Sequence, residues 1–294
     1  MKKIAVVGSV NMDLTVKAQR HPNKGETVSG SDLQYIPGGK GANQAVAAAR
    51  LGGDVTMFGC VGDDIFGEQL LKNLEENGVK TEHMLRIPHM SSGIALITVA
   101  ESDNTIVVVP GANHSVTPGY LQKMIDEIMQ ADIILLQNEI PLESVELTVH
   151  LAAQAGKTVI YNPAPAVPVK REIIDKVTYL TPNEHETALL FPEENNLNTL
   201  LEKQNGSLIV TLGEKGAAAF YDGRVIRIPA RISDVKDTTG AGDTFNGAFA
   251  YALANEYPVD KALRFANIAA GLSAEHMGAQ SGMPDYDTVT KELQ

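Results

Sequence analysis

Tryptophan is absent from this chain, cysteine occurs once, and aromatic residues make up only 5% of its 294 positions. A single cysteine excludes an intrachain disulfide framework and suits a reducing compartment, so the expected location is the cytoplasm. Cys60 lies in the apolar stretch Val55–Val61 and reads as a core thiol, not as a nucleophile. No apolar run approaches the length of a membrane span. The opening Met1–Gly8 is apolar over too few residues for a leader, and Asn11 and Asp13 follow at once, so it reads as a first buried strand. Positive charge is scarce: 24 Lys and Arg stand against 36 Asp and Glu, a net charge of −12. That balance argues against nucleic acid or an anionic membrane as partner, while leaving room for a local phosphate pocket. No G-x-G-x-x-G follows the first strand and no Walker A sequence occurs, which excludes the usual dinucleotide and P-loop signatures. The histidines are scattered, with no H-x-x-x-H or Cys/His cluster, so no zinc site is expected. There is no internal repeat, low-complexity stretch or clear linker. What remains, 44% hydrophobic and 20% charged, describes a globular chain with a sizeable core. Its length allows one large domain with an appendage or two modest ones.

The most informative stretch is Asp237-Thr238-Thr239-Gly240-Ala241-Gly242-Asp243. Three small residues lead into Phe245, Ala248, Phe249 and Leu253 at helical spacing, so a helix is expected to begin near Gly242. Its unpaired amides and positive dipole end would face whatever sits in front, and small side chains let a ligand approach. This is an anion hole with a carboxylate, Asp243, at its lip. A donor cluster for phosphate beside a general base is what phosphoryl transfer to an alcohol requires. The competing reading is an Asp that caps a helix after a Gly-rich turn.

Taken in order, Ile4–Val7 predicts a strand with Asn11 and Asp13 beyond its carboxyl end, where open α/β sheets bind ligands. Leu14–Ile36 alternates loosely, with Pro22, Gly25 and Gly30 as breaks, and predicts short strands. Gly38-Gly39-Lys40-Gly41-Ala42-Asn43 leads into an Ala-rich helix over 44–51, a Gly-rich entrance able to close on a small polar ligand; a plain hinge is the alternative. Val55–Cys60 predicts a strand and Asp63–Asn77 an amphipathic helix through Ile65, Phe66, Leu70, Leu71 and Leu74, stopped by Gly78. Ser92–Val99 and Thr105–Val109 predict a hairpin apolar on both faces, which needs two coverings: a substrate and a partner subunit. From Thr117-Pro118 onward strands and helices alternate as in a parallel sheet. Strands are expected at 133–137, with Asn138-Glu139 at its end, at 158–161, at 179–181 and at 207–211. Asn183 and Glu186 are spaced to share one face of a helical turn. Gly213-Glu214-Lys215-Gly216 is a turn with a solvated Lys215. Helices over 241–255 and 259–276 and a polar tail complete the chain.

These pieces together resemble the ribokinase family of carbohydrate kinases, over essentially the whole chain. The resemblance rests on Gly8-Ser9-Val10-Asn11-Met12-Asp13, Gly38–Gln44, Asn183–Glu186, Thr211–Gly213 and Asp237–Asp243, in that order and spacing. It implies a three-layer α/β sandwich with a mainly parallel central sheet. A single kinase domain over 1–294 would carry a small β-sheet lid built from roughly 14–36 and 92–109. In such kinases the lids of two subunits often clasp, so a homodimer is expected. The resemblance assigns the sugar to Asn11, Asp13, Gly39, Lys40, Asn43 and Glu139. Asp243 would be the general base, and Gly240, Ala241, Gly242 and Asp243 the anion hole. ATP would be lined by Asn183, Thr211, Gly213, Gly216, Gly242 and Asn267, with Glu186 helping to place Mg²⁺ through water. A monovalent cation, K⁺, would lie at Asp237, Thr239, Ser273, His276, Gly278 and Gly282. Relatives often carry a serine where Gly282 stands, and Ser281 is one place early.

The function so implied is ATP-dependent phosphorylation of a sugar, first D-ribose at O5 to give ribose 5-phosphate. Deoxyribose, fructose and nucleosides are the alternatives within the class, because side-chain contacts to particular hydroxyls set the choice. A sugar-binding regulator that kept the fold without turnover is the alternative outside it.

Overall fold

The structure, a computed structural model, describes residues 1–101 and 103–293. The first half runs β1 (Lys3–Val7), β2 (Asn11–Ala18), β3 (Gly30–Gly38), α1 (Lys40–Arg50), β4 (Asp54–Gly62), α2 (Ile65–Glu76), β5 (Lys80–Ile87), β6 (Gly93–Ala100), β7 (Asp103–Val109), α3 (Pro118–Ile128) and β8 (Ile133–Leu136). It continues with α4 (Leu142–Gln154), β9 (Thr158–Tyr161), α5 (Arg171–Ile174), β10 (Tyr179–Leu180), α6 (Glu184–Leu190), α7 (Leu197–Lys203) and β11 (Ile209–Thr211). The last part holds β12 (Ala217–Tyr221), β13 (Arg224–Ile228), α8 (Ala241–Ala254), α9 (Val259–Ser273) and α10 (Tyr286–Lys291).

A six-stranded parallel sheet in the order β10-β9-β8-β1-β4-β5 forms the middle layer. Single parallel bridges, Leu180 to Leu208 and Asn183 to Thr211, continue it toward the antiparallel β11-β12-β13. Alternation along the strands splits the core in two. Ile4 and Val6 of β1 pack with Val46 of α1, Phe249 of α8 and Phe265 of α9. Ala5 and Val7 face the other way, into a core with Leu121 of α3, Val149 of α4 and Leu201 of α7. Helices thus cover both faces, as expected for a parallel sheet. Local signals start the helices: Asp64 accepts from Gly67 N at 2.7 Å before α2, and Thr117 caps α3 ahead of Pro118.

A separate four-stranded sheet, β3-β2-β6-β7, stands beside this core. Its β2 and β6 are parallel, while β2–β3 and β6–β7 are antiparallel. Asn11 and Asp13 stand beyond the carboxyl end of β1 as expected, and there they already belong to β2 of the small sheet. Several expectations are corrected. Helix α1 begins at Lys40, so the Lys40–Asn43 segment is helical, with Gly39 at φ 88° as the turn into it. Ile65 is exposed at the start of α2 while Leu70 and Leu74 carry the buried stripe. The polar tail contains α10, capped by Asp285 and anchored by buried Val289.

Candidate active site

Asp243 sits in the first turn of α8 and is buried, not at a lip. A buried carboxylate needs hydrogen-bond partners, and α1 provides them. Asn43 Nδ2 donates to Asp243 Oδ2 at 2.9 Å and Gln44 Nε2 donates to Oδ1 at 3.1 Å. Gln44 is itself held: its Nε2 also reaches Asn162 Oδ1 at 3.2 Å, and Gln137 Nε2 donates to its Oε1 at 2.7 Å. α1 and α8 approach closely enough for this because Gly247 faces α1; a Cβ there would lie 2.5 Å from Gln44 O.

Gly240 caps α8 in the left-handed region, φ 76°, and a Cβ on it would lie 2.7 Å from Ala279 O. Only glycine serves there without strain. A Cβ on Gly242 would meet open space. Helix geometry leaves the amides of Gly242 and Asp243 without carbonyl partners in the first turn. Ala241 N–H, in contrast, donates to Thr238 O at 3.1 Å, which removes it from the expected set of free anion-hole donors.

Several residues expected to hold a sugar converge near Asp243. Lys40 N and Ser9 Oγ donate to Glu139 Oε2, the former at 2.9 Å. Asn113 Nδ2 donates to Asn11 Oδ1 at 2.7 Å, fixing the Asn11 amide. Gly39 lets its backbone lie against Asn11 and Val10, where a Cβ would stand 2.7 Å from Asn11 N. A Cβ on Gly38 would collide with the Asp13 carboxylate. Asp13 is pushed up to about 7 by burial first, and then by the charges of Glu139 and Asp243. Lys40 is pushed up by Asp243 first, against its own burial, with Glu139 and Glu186 adding to the effect. The group is therefore several carboxylates around one ammonium.

Asp243 also borders a cavity of about 840 Å³. Of the residues expected to line a nucleotide, Asn183, Glu186, Thr211, Gly213, Gly216, Gly242 and Asn267 all border it. Lys40 and Asp243 border it as well, so these two face both groups. Asn183 and Glu186 form a reciprocal capping box at the start of α6, each side chain bonded to the other's backbone N at 2.8 Å. Burial pushes Glu186 up, opposed by the Asn183 amide and Lys40. Asn267 Nδ2 is fixed by Ile228 O at 2.9 Å.

The expected cation residues also gather. Asp237 Oδ1 accepts from Thr239 N at 2.9 Å and Oδ2 from Gly278 N at 2.8 Å. Asp237 N and Lys236 N donate to Ala274 O, one residue beyond Ser273. His276 N reaches Ser273 O at 3.3 Å, and a Cβ on Gly282 would collide with that carbonyl. Burial would raise Asp237, but its hydrogen bonds from Thr239 and Gly278 hold it below the ordinary carboxylate range. Among the described residues no three His, Cys, Asp or Glu side chains form a metal-binding cluster.

Sequence reasoning did not single out Gln44, Gln137, Asn162 and Gln280, nor the Ala230–Val235 segment that borders the cavity. Gln44 is the last residue of the Gly38–Gln44 motif, and that membership was the available signal.

The sequence matches the family described as pfkB family carbohydrate kinase over residues 1–286. The chain belongs to the pfkB family of carbohydrate kinases. This pfkB-family chain is 48% identical to a ribokinase of Bacillus subtilis, with the whole of both chains covered. It is 46% identical to a ribokinase of Lactococcus lactis, covering 100% of this chain and 97% of that one. Its fold superposes on an Arabidopsis thaliana ribokinase complexed with ribose and ATP, with TM-score 0.92, 33% identity and coverage of 100% and 99%. The pfkB-family kinase thus shares the ribokinase-like α/β fold. Among its described residues no helix is long and apolar enough to cross a membrane.

Proposed function

We propose that this kinase transfers the γ-phosphoryl group of ATP to O5 of D-ribose, giving ribose 5-phosphate. The observation that carries the reading is the position of Asp243. It lies in the first turn of α8, borders the large cavity, and acts electrostatically on both Asp13 and Lys40. The ribokinase relatives and the Arabidopsis complex with ribose and ATP support the same substrates. In this reading Asn11, Asp13, Gly39, Lys40, Asn43 and Glu139 hold the sugar. Asp243 takes the proton of the primary hydroxyl as its oxygen attacks the γ-phosphorus in line. The Gly242 and Asp243 amides, the helix dipole and Lys40 stabilise the charge spread over the phosphoryl oxygens. Asn183, Thr211, Gly213, Gly216 and Asn267 line the nucleotide.

Two cations fit the residues present. Mg²⁺ is held in kinases by one or two carboxylates together with substrate phosphates, and Glu186 is a buried carboxylate bordering the cavity. When bound it supplies positive charge to the phosphates. Around Asp237 the expected donors would be its carboxylate and backbone carbonyls among Thr239, Ser273, His276, Gly278 and Gly282, a hard-oxygen set suited to K⁺. The small sheet serves as a lid on a single kinase domain. By register Asp13, Ala95 and Val108 share its inner face, and Met12, Ile94 and Val109 share the other. Val107 and Val109 are exposed on that other face, and a second copy would cover them in a homodimer.

ADP release across pentoses, hexoses and nucleosides tests the substrate. D-ribose is expected to give the highest kcat/KM; a higher value for deoxyribose, fructose or a nucleoside would reassign it. No turnover with any would leave a sugar-binding protein.

A further inference from the structure

Arg50, at the end of α1, can only donate hydrogen bonds, and an ionised Asp243 can only accept them. Four side-chain amides join the two. Arg50 Nε donates to Asn77 Oδ1 at 2.7 Å, Asn77 Nδ2 donates to Asn73 O at 2.7 Å and, more weakly, to Asn73 Oδ1 at 3.4 Å, and Asn73 Nδ2 donates to Gln280 Oε1 at 2.8 Å. Gln280 Nε2 then donates to Asn43 Oδ1 at 2.9 Å, and Asn43 Nδ2 to Asp243 Oδ2 at 2.9 Å. An amide side chain has a donating and an accepting end of nearly the same size, so one amide alone could sit either way round. Here Arg50 and the Asn73 carbonyl fix Asn77 at one end, Asp243 fixes Asn43 at the other, and Asn73 and Gln280 between them point the same way.

The chain crosses α1, α2, the connection between α9 and α10, and α8. Gln280 and Asn43 are buried, so water does not substitute for a broken link. Arg50 Nη1 also holds the carbonyls of Gln280 and Met283, so one guanidinium fixes both the backbone and, through Asn77 and Asn73, the side chain of Gln280. Hydrogen bonds in such a series polarise one another.

We infer that Asn73 and Gln280 are positioning residues for phosphoryl transfer. They orient the Asn43 amide so that its NH₂, and not its carbonyl, meets Asp243. Reversal would aim a carbonyl oxygen at the carboxylate and turn it away from the hydroxyl. The other charges facing Asp243 are Lys40 on α1, Asp13 on β2, Glu139 after β8 and Glu186 on α6, and none of them is a link in the chain. The inference rests on Asp243 being the base.

The test reverses the chain at a residue that borders neither the cavity nor the sugar group. Asn73→Asp is nearly isosteric and accepts from Asn77, but when ionised it cannot donate to Gln280. Gln280 then turns its NH₂ toward the new carboxylate, and Asn43 turns in consequence. In the otherwise wild-type enzyme kcat should fall about tenfold, the rate equivalent of weakening one hydrogen bond to a charged acceptor. Binding of a non-hydrolysable ATP analogue should change less than about twofold. In an Asp243→Asn background, whose amide accepts either orientation of Asn43, Asn73→Asp should cost nothing further, because residues acting through one group are not additive. An equal loss in both backgrounds would show a merely structural effect and overturn the inference, as would an unchanged kcat in the single variant. Should Asn73→Asp fail to fold, Gln280→Glu reverses the same chain one link on and is read in the same two backgrounds. If Asp243→Asn by itself keeps wild-type turnover, it is the assignment of the base that fails, and the inference falls with it.

Discussion

Gln44 Nε2 lies 3.1 Å from Asp243 Oδ1, although 199 residues separate the two. That contact and its neighbour from Asn43 explain how a carboxylate can be buried at a helix start without an ion pair of its own. Each oxygen receives one amide hydrogen, and each keeps lone-pair capacity for a substrate hydroxyl. The helix dipole adds favourable positive potential at the same end. The sugar-side group is less well compensated, and its consequences can be measured.

Asp13 gives a pH dependence with a defined sign. Its carboxyl is raised from 3.8 to about 7 in the folded protein, mainly by burial. A raised carboxyl means that the folded state binds the proton more tightly than the unfolded state does. Stability should therefore fall as pH rises from about 4 to about 7, with no further change from this group beyond. Asp13→Asn removes the titration. Relative to wild type without sugar, it should gain about 2–4 kcal/mol between pH 4 and pH 8 by urea unfolding. A constant difference across that range would contradict the assignment.

Much of this site was legible because its parts are short runs of small and polar residues after apolar strands. Such runs are conspicuous, and Gly240 and Gly39 are needed for positive φ wherever the chain turns. The strand β5 was not legible. Lys80–Ile87 lies at the edge of the sheet, and charged, exposed Lys80, Glu82 and Arg86 interrupt it, so no apolar run marks it. Helix α10 was hidden by its shortness, with one fully buried anchor, Val289. Gln44 and Gln280 carry no signal in isolation, since an amide becomes a site residue only through partners on other elements. The burial of Asp243 was missed for the same reason: α1 covers it, and only the fold brings α1 there.

The cation reading predicts that K⁺ raises kcat more than it lowers the KM for ribose. In that reading the residues joined through Asp237, Thr239 and Gly278, which directly precede α8 in part, would act through the anion hole. Equal rates in potassium and in a bulky organic cation at matched ionic strength would contradict it. Gly282→Ser, which resembles the serine of relatives, should not strengthen the response here. Its Cβ would press on Ser273 O and His276, and a loss of about 1–3 kcal/mol of stability is expected from calorimetry.

The lid reading predicts a homodimer held by exposed valines. Val107 points away from the Asp13 face by register and is 61% exposed. Val107→Asp should give monomers in sedimentation while ATP-analogue binding is retained. A wild-type protein already monomeric at micromolar concentration would contradict the reading.

The central claim is that Asp243 is the general base. Asn is nearly isosteric and can still hydrogen-bond a hydroxyl, so Asp243→Asn should leave calorimetric binding of ribose and of an ATP analogue within a few-fold of wild type. It cannot take a proton near neutral pH, and loss of a positioned base typically costs about 10²–10⁴ in rate. Asn also occupies a helix terminus about as well as Asp, so a purely structural Asp243 would leave turnover nearly intact. Steady-state kcat of this variant decides between them. A fall of about a hundredfold or more with binding retained is the predicted result, and retention of more than about a tenth of wild-type kcat would contradict it.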